Sequence, residues 1–508
     1  MAVAAFFIIL SPRTASSAEL GANKVDLALQ YLEDSNPKAS GRSLSYPIRV
    51  AMAKKSIADS HDAGWAFVRV SVTGYWPVNI GDRRNDLAIW QADPATFWAK
   101  EDRMFDDLDR AGVRLVPTFV WNTTQFPALV GETLTTFLRD PQSQSRHLLA
   151  RFIGQFIARY RSRRTILFYE LTNELNLKVD LDLRKRCETP RPCVWNNFTT
   201  DDMLAFSRDL VRLIKSLDGT RQVTSGFSIP RRAAGHLEAQ PEFAAGGRDR
   251  TPDTREEFKR NLIAIHEPFD IISVHIYPQS ENDRFGRPPG HQYELVADAA
   301  EAAREAHKPL FVGEFADNSN KFDDNGWEID EGRPTPFVRN MLDAIVREKV
   351  AYASFWVWEY YQNTTWRTHD TIADRTSVEP GYSDDMIALL ESTERAMGGG
   401  PPPPDPRAQP RVVLTWPLPC AVVDQPVDLA AVASDGARGV GRVEFLIGGK
   451  LLGSAASPPY TTRFDPAGLG ERTAEITARA IDASGARSEF TSTIRLNGPS
   501  PACISPSP

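Results

Sequence analysis

The sequence predicts an α/β fold, a (β/α)₈ TIM barrel, followed by a small all-β sandwich. In the first 397 residues, apolar runs of strand length alternate with amphipathic helical patterns, whereas from residue 410 onward only short alternating runs occur. A glycine- and proline-rich segment, GGGPPPPDP at 398–406, separates the two parts and is typical of a hinge followed by a stiff spacer. We therefore expect the barrel at 19–397, a linker at 398–409 and the sandwich at 410–508.

Seven helix–strand pairs follow one another in the barrel part. The helices are predicted at 51–63, 94–111, 142–161, 201–217, 255–266, 293–307 and 336–349, and the strands at 65–71, 113–121, 165–173, 222–227, 270–277, 309–315 and 351–358. A first strand must precede Tyr46, and we place it within 24–32; a last helix is predicted at 384–397. Apolar strands alternating with helices form a parallel sheet, and eight such units close into a barrel. An open doubly wound sheet would need a glycine-rich turn after an early strand, and the sequence has none.

The tail contains seven short runs with strand periodicity. They lie at 411–416, 427–433, 441–447, 450–453, 460–464, 472–480 and 488–496. Gly448-Gly449 separates two of them as a two-residue hairpin turn. This spacing predicts a β-sandwich.

The composition is that of a globular chain. Of the 508 residues, 42% are apolar and 25% are charged, which excludes a disordered or fibrous chain. The formal net charge of −7 and the lack of a basic stripe argue against nucleic acid as a main partner. We expect no membrane span and a monomer.

The N-terminus predicts export. Residues 2–10 are apolar but too few to cross a bilayer, which takes about 20 residues. Ser16-Ser17-Ala18 offers the small residues of a signal-peptidase site. We expect 1–18 to be a signal peptide that lacks its basic start, since the first positive side chain is Arg13; the alternative is a frayed apolar tail. The protein is then secreted, either extracellular or periplasmic.

The four cysteines fit an oxidising compartment. Cys187 and Cys193 bracket a five-residue loop, and Cys420 and Cys503 bracket most of the tail. Pairing within each set would staple one loop and tie the tail to its first strand. Four cysteines allow three connectivities, so this pairing is a hypothesis.

Two glutamates close apolar strands of the predicted barrel. Glu174 follows the strand from 165, and Glu314 ends the strand from 309. In a parallel barrel the carboxyl ends of the strands converge on one mouth, and burying glutamate there is costly. Retaining glycoside hydrolysis needs two such carboxyl groups, roughly 5–5.5 Å apart. The alternative is that each is a solvated loop residue.

Further residues at strand ends form a recognisable set. The motifs are Tyr169-Glu170-Leu171-Thr172-Asn173-Glu174, Val312-Gly313-Glu314-Phe315, His275-Ile276-Tyr277, Val68-Arg69-Val70, and a tryptophan on the last strand, Trp356 or else Trp358. In order and strand position they resemble glycoside hydrolase family 5, the cellulase-like family in the clan of retaining (β/α)₈ glycosidases. The resemblance covers about residues 20–397.

The resemblance implies roles for these residues. Glu174 is expected to be the acid/base, Glu314 the nucleophile, and Asn173 a ligand of the sugar 2-hydroxyl. The family usually has a histidine after its third strand, where this chain has Trp121-Asn122, and we expect both of these to contact substrate.

Physical roles can be assigned to the remaining candidates. Arg69 would hold Glu314 ionised; the alternative is an ion pair with Glu170. Tyr277 would donate a hydrogen bond to the nucleophile and His275 would meet a sugar hydroxyl, unless the two form a core pair.

The tryptophans and the acid complete the expected site. Trp356 offers a flat face for a pyranose ring, while Trp358 and Tyr360 recur at strand period and could be packing. Because Glu314 is negative, it should raise the pKa of Glu174 and keep that carboxyl protonated.

These observations predict a secreted retaining β-glycosidase, an endo-β-glycanase that by resemblance acts on β-glucan or β-mannan. No cofactor or metal is implied, because the sequence lacks His-Glu-x-x-His and similar spacings. One rival is an exo-acting enzyme whose pocket is closed by the loops at 175–197 and 228–254; another is a non-catalytic glycan-binding barrel. The tail, through residues 443–451, resembles bacterial immunoglobulin-like domains and is expected to be a spacer.

Overall fold

A computed structural model gives the architecture of most of the chain. It describes residues 18–32, 46–73, 86–186, 194–246, 248–278, 284–287, 291–317, 322–323, 326–327, 334–360, 377–400, 409–436, 439–470 and 472–498. The predicted signal sequence up to residue 17, most of the predicted linker, Cys187, Cys193 and Cys503 lie outside these residues. The disulfide pairing therefore stays a prediction.

Eight parallel strands form the barrel. They are β1 (Glu19–Asn23), β2 (Phe67–Ser71), β3 (Arg114–Val120), β4 (Tyr169–Thr172), β5 (Val223–Thr224), β6 (Ile272–Ile276), β7 (Leu310–Phe315) and β10 (Tyr352–Phe355). Their order is β5-β4-β3-β2-β1-β10-β7-β6. A parallel bridge between Thr224 and Ile271 joins the two edges. The predicted (β/α)₈ barrel is confirmed.

Helices cover the outside of the barrel. They are α1 (Leu27–Leu32), α2 (Tyr46–Asp62), α3 (Asp86–Ala92), α4 (Pro94–Ala111), α5 (Gln125–Val130), α6 (Leu134–Arg139), α7 (Gln144–Tyr160), α8 (Thr200–Leu217), α9 (Ala234–Ala239), α10 (Arg255–Ile265), α11 (Leu295–Glu305), α12 (Pro336–Arg347) and α13 (Asp384–Met397). Short 3₁₀ helices lie at Leu175–Lys178, Leu183–Arg186, Arg284–Gly286 and Gln292–Glu294, and a small hairpin is formed by β8 (Phe322–Asp323) and β9 (Gly326–Trp327). Among the described residues no helix is long and apolar enough to cross a membrane.

Side-chain caps explain where several helices begin. At α8 and α10 the sequence supplies capping boxes, Thr199 with Asp202 and Thr254 with Glu257. In each box the threonine oxygen accepts the N–H three residues on, and the acidic side chain accepts the N–H of the threonine. These caps fix the helix starts close to the predicted ones.

The predicted position of the first strand is wrong. The sequence places it within 24–32, but β1 is Glu19–Asn23 and the apolar run at Leu27–Leu32 forms α1. All six residues of α1 are buried, so the run has no polar face from which a helical period could be recognised.

An aromatic layer fills the barrel below its mouth. Phe67, Phe168, Phe311 and Tyr352 lie there with ring centroids 5.0–6.5 Å apart, and all four are buried. The layer closes the floor of the barrel, so polar side chains at the strand ends above it lie in an environment with little water.

The C-terminal part is a β-sandwich, as predicted. Its strands are β11 (Arg411–Trp416), β12 (Val422–Val423), β13 (Val427–Ser434), β14 (Val440–Ile447), β15 (Lys450–Ala455), β16 (Tyr460–Phe464), β17 (Arg472–Asp482) and β18 (Arg487–Leu496). One sheet has the order β11-β13-β16 and the other β12-β18-β17-β14-β15. Gly448 and Gly449 both have positive φ in the turn between β14 and β15, the hairpin turn expected there.

The sandwich docks on α2 of the barrel through a buried ion network. Arg411 Nε donates to Asp59 Oδ1 at 2.8 Å, and its Nη2 contacts Asp62. Ser434 Oγ donates to the same Asp59 oxygen at 2.8 Å. Lys55 pairs with Asp59 at 2.7 Å and with Glu359, which follows β10, at 2.8 Å. A continuous chain of charges therefore connects the sandwich to the last barrel strand.

Replacing Arg411 with alanine should destabilise the protein by about 2–3 kcal/mol, because Asp59 stays buried after losing a cationic partner. Equilibrium denaturant unfolding measures this loss. The matched control is Arg463→Ala, since Arg463 forms an exposed pair with Asp428 at 3.2 Å and its loss should cost less than about 0.5 kcal/mol. Equal effects of the two substitutions would contradict a structural role for the interface.

Candidate active site

Arg69 lies at the centre of the barrel mouth, with no exposed surface. Its Nη1 donates to Glu314 Oε1 at 2.6 Å and to Asn23 Oδ1 at 2.9 Å. Its Nε donates to Glu170 Oε1 at 2.8 Å and its Nη2 to Asn173 Oδ1 at 2.7 Å. One guanidinium therefore joins the ends of strands β1, β2, β4 and β7.

Arg69 takes both of the partners that the sequence suggested as alternatives. Glu170 is fully buried, and it also accepts a 2.6 Å hydrogen bond from Thr118 Oγ1. Burial opposes the charge on Arg69, but the carboxylates of Glu170 and Glu314 outweigh it and raise the pKa of the guanidinium above its ordinary value. Glu170 thus balances a buried charge, while Glu314 is the partner that faces the mouth.

Glu174 and Glu314 meet across the mouth. Tyr277 Oη donates to Glu314 Oε2 at 2.8 Å. His275 Nδ1 lies 3.1 Å from Glu174 Oε1 and 3.5 Å from Glu314 Oε2. One oxygen of Glu174 lies within 4.8 Å of one oxygen of Glu314, and the side chain of Glu174 is 28% exposed against 6% for Glu314. Two carboxyl groups thus flank a space open to solvent.

A close backbone contact holds Glu174 in place. Its φ of 50° lies in the left-handed region, a costly conformation for a non-glycine residue that is typical of functional sites. The backbone N–H of Glu174 donates to Gly226 O at 2.8 Å. Gly226 itself has a φ of 71°, and a Cβ there would lie 1.8 Å from Thr172 O and 2.8 Å from Glu170 Cδ. Only glycine fits beside this strand end.

The pKa directions of the two glutamates are the reverse of those expected. Burial raises the pKa of Glu314, and the charge of Glu174 adds to this, against the opposing effects of His275 and Arg69. Burial also acts on Glu174, but the hydrogen bond from His275 and its charge lower the pKa of that carboxyl. His275 decides the balance because it lies closer to Glu174.

Two tryptophans form one wall of the mouth. The indole of Trp121 lies over the guanidinium of Arg69, with its ring centroid 4.5 Å from Arg69 Cζ. Trp356 stacks on Trp121 at 6.1 Å with an interplanar angle of 22°, and it is partly exposed. Trp121 therefore covers the arginine that binds Glu314, and Trp356 extends the same aromatic wall.

Two other residues predicted to contact substrate have structural roles, Trp358 in the core and Asn122 in a turn. Trp358 is 1% exposed, donates to Ser56 O at 3.3 Å and packs edge-on against Trp65, so it belongs to the core between β10 and α2. Asn122 Oδ1 accepts hydrogen bonds from the backbone N–H and the hydroxyl of Thr124 at 3.1 and 2.8 Å. This oxygen thus holds the turn after β3.

Asn23, Thr118 and Gly226 also belong to the site, although the sequence pattern did not predict them. Asn23 Nδ2 also donates to Ser354 Oγ at 2.9 Å, so it links β1 to β10. Asn23 is a polar residue at the end of the first strand, and this position could have predicted its role. The sequence, however, placed that strand after Asn23. The other two residues contact Glu170 and gave no signal in the sequence.

The two long loops flanking the mouth contact each other. Asn176, in the 3₁₀ helix Leu175–Lys178, exchanges two hydrogen bonds with the backbone of Ser228 at 2.8 and 3.0 Å. Arg231 Nε donates to Leu177 O at 2.9 Å. The segment after β5 therefore supports the segment that follows Glu174.

Glu174, His275 and Glu314 each offer a metal-ligand atom within 4.8 Å of the others. A cation bound there would face Arg69, whose guanidinium already occupies Glu314 Oε1 at 2.6 Å. Repulsion between the two charges makes these residues a poor metal site and a good site for acid–base chemistry.

Residues 410–478 match the family model of the bacterial Ig domain. The C-terminal domain has an immunoglobulin-like fold. This confirms the part of the prediction that concerned the immunoglobulin-like domain.

No curated protein matches this sequence. Among solved structures, an endo-β-1,4-mannanase from Thermotoga petrophila is 13% identical, with 95% of this chain and 98% of that chain covered and a TM-score of 0.49. An endo-1,4-β-mannanase from Rhizomucor miehei is 14% identical, with 75% and 94% covered and a TM-score of 0.48. A tri-modular family 5 endo-β-1,4-glucanase from Bacillus licheniformis is 12% identical, with 95% and 79% covered and a TM-score of 0.41. These identities are too low to support a conclusion about activity.

Replacing Gly226 with alanine should destabilise the protein by more than about 2 kcal/mol, since the new Cβ collides with backbone at a positive φ. Denaturant unfolding measures the change. The control is Gly154→Ala in α7, where a Cβ meets nothing within 4 Å and alanine should stabilise the helix by about 0.5–1 kcal/mol. A neutral Gly226→Ala variant would contradict the close contact at the end of β4.

Proposed function

We propose that the protein is a secreted retaining glycoside hydrolase that cleaves β-linked polysaccharide at internal bonds. The observation that carries this proposal is the separation of Glu174 and Glu314, of which two oxygens lie within 4.8 Å. Retaining enzymes hold their carboxyl groups about 5–5.5 Å apart, whereas inverting enzymes need about 6.5–9.5 Å to admit a water molecule. The short separation supports double displacement.

The proposed reaction has two steps. First, Glu314 attacks the anomeric carbon and forms an ester bond, while the bond to the glycosidic oxygen breaks and Glu174 protonates that oxygen. Then Glu174, now ionised, takes a proton from water, the water oxygen bonds to the anomeric carbon, and the ester bond breaks. Both residues return to their starting forms.

The surroundings of Glu314 suit a nucleophile that must also leave. Arg69 and Tyr277 each donate to one of its two oxygens, at 2.6 and 2.8 Å. These donors fix the carboxylate, and they stabilise the charge that returns when the ester breaks. The partly exposed Glu174 is the more accessible of the two, as an acid that meets a leaving group must be.

The first step needs the proton on Glu174 and the charge on Glu314. In the free site the pKa of Glu174 is lowered and that of Glu314 is raised, so substrate binding has to shift the two pKa values in the opposite directions. His275 Nδ1 lies 3.1 Å from one carboxyl oxygen and 3.5 Å from the other. We infer that His275, which lies within reach of both carboxyl groups, couples their protonation.

The substrate class follows from the resemblance to glycoside hydrolase family 5. We propose a β-glucan or a β-mannan, whose pyranose rings would pack on the exposed face of Trp356, beside Trp121. Secretion rests on residues 1–18 of the sequence, and an exo-acting enzyme and a non-catalytic glycan-binding barrel are the rivals to be tested.

Glu174→Ala and Glu314→Ala should each lower kcat/KM by more than about 10³-fold on β-glucans, β-mannans and aryl β-glycosides. The control, Glu267→Ala, removes a glutamate before β6 at the opposite end of the barrel, 61% exposed, and should keep wild-type activity. Added azide should yield a β-glycosyl azide with Glu174→Ala and an α-glycosyl azide with Glu314→Ala, which separates the two roles. NMR of the first-formed anomer should show retention.

Two results would reject this assignment. If either alanine variant kept activity within tenfold of wild type, the carboxyl pair would not be the catalytic pair. If the wild-type protein bound polysaccharide without releasing sugar from any member of the panel, the non-catalytic barrel would be correct. Product lengths from polysaccharide then distinguish internal from terminal cleavage.

Tyr277→Phe should move the acidic limb of the kcat/KM profile to higher pH. The hydroxyl of Tyr277 lowers the pKa of Glu314, so its loss raises that pKa and requires a higher pH to ionise the nucleophile. Tyr293→Phe is the control, because its hydroxyl lies beside His291 at 3.1 Å. An unchanged limb, or one moved to lower pH, would contradict the role of Tyr277.

A further inference from the structure

A second cluster of ligand-type side chains lies outside the mouth, between β5 and α10. His236 is in α9, Asp253 precedes the first residue of the α10 capping box, and Glu257 is in the first turn of α10. One ligand-type atom from each lies within 4.8 Å of the other two. The three residues are 17 and 4 positions apart, so no short sequence motif marks them.

The imidazole of His236 is oriented towards the other two side chains. Its Nδ1 pairs with Asp249 Oδ2 at 3.1 Å, and its Nε2 lies 3.9 Å from Glu257 Oε2. Metal-binding imidazoles characteristically donate one ring N–H to a carboxylate, which leaves the lone pair of the other nitrogen for the ion. Asp249 holds His236 in that tautomer and orientation.

Asp253 supplies the independent observation. It is 5% exposed, and its Oδ2 accepts the backbone N–H of Gly235 at 3.0 Å. Its Oδ1 is buried and has no hydrogen-bond partner among the described residues. A buried carboxylate oxygen without a donor is costly.

We propose that His236, Asp253 and Glu257 bind a divalent transition-metal ion, with Asp249 as the residue that orients His236. One imidazole nitrogen and two carboxylate oxygens suit Zn²⁺ or Mn²⁺, whereas Ca²⁺ prefers oxygen ligands alone. Water completes the coordination.

Side-chain movements of up to about 1.5 Å would form this site. Ligand atoms about 2.0–2.2 Å from a tetrahedral zinc ion lie about 3.3–3.6 Å from each other, so the 3.9 Å pair must close by about half an ångström and any pair near the 4.8 Å limit by more. The side chains of His236 and Glu257 are 29% and 32% exposed, which leaves them room to turn. Glu257 Oε2 already accepts from the backbone N–H and from the hydroxyl of Thr254, both at 2.8 Å, so the ion would replace the hydroxyl donor or bind Oε1.

The ion would fasten the segment that supports the mouth. It would tie α9 to the start of α10, a few residues beyond Arg231, whose side chain contacts the segment after Glu174. Its role is therefore structural, and the proposal does not depend on the proposed hydrolase activity.

The test uses the full-length protein after treatment with a chelator. Isothermal titration with ZnCl₂ should give one site per chain, and zinc should raise the unfolding midpoint by a few degrees. Cobalt(II) chloride should produce visible absorption bands of a nitrogen- and oxygen-ligated ion. MnCl₂ and CaCl₂ titrations rank the preferred ion, with calcium expected to be weakest.

Matched variants assign the site. His236→Ala and Asp253→Asn should weaken zinc binding by more than about 100-fold, and Asp249→Asn by about 10-fold or more. His147→Ala, which removes an exposed histidine on α7, should leave the affinity and the midpoint shift unchanged. Circular dichroism of the metal-free variants verifies that they are folded.

The proposal is overturned if the stripped protein binds neither zinc nor manganese in the titration. It is also overturned if folded His236→Ala binds zinc as tightly as wild type.

Discussion

One buried guanidinium organises the mouth of the barrel. Arg69 is bonded to side chains from β1, β4 and β7, and two of these are carboxylates in a nearly dry environment. Without the cation, Glu170 and Glu314 would be two unpaired negative charges above an aromatic floor, and such charges cost several kcal/mol each. The same bonds that neutralise this charge fix the distance between the strand ends. Arg69 therefore both positions the strand ends and neutralises the buried carboxylates.

The directions of the pKa shifts of Glu174 and Glu314 follow from the same arrangement. Glu314 is the more buried glutamate and Glu174 the better partner of His275, so the pKa of Glu314 is raised and that of Glu174 is lowered. A ligand that excludes water near Glu174 weakens the ionised form of that carboxyl. In the proposed mechanism, occupancy of the mouth would therefore raise the pKa of Glu174, the direction that an acid requires.

Much of this site could be predicted because burying a charged side chain at the end of an apolar strand costs free energy. A charged residue at such a position therefore indicates a function. Glu174, Glu314, Arg69 and His275 all stood out from apolar strands for that reason. Asn23 did not, since the five residues of β1 contain only Leu20 as a large apolar residue, and the stronger apolar run beside it is a helix. Trp356 and Trp358 share the strand period, so only packing against Trp65 and Ser56 distinguishes the core residue from the exposed one. The pairing of Arg411 with Asp59 joins residues 352 positions apart, a relation that no local pattern encodes.

The docking of the immunoglobulin-like domain changes how the protein can be divided. Because the Arg411–Asp59–Lys55–Glu359 chain ends beside β10, cutting at the glycine–proline segment would leave Asp59 and its neighbours facing solvent on the back of the barrel. A barrel without the immunoglobulin-like domain thus differs from the barrel in the whole chain in the exposure and pairing of these charged residues. Anyone transplanting this module to another enzyme would have to carry the acidic face of α2 with it. The sandwich therefore supports the barrel directly and is more than a flexibly attached domain.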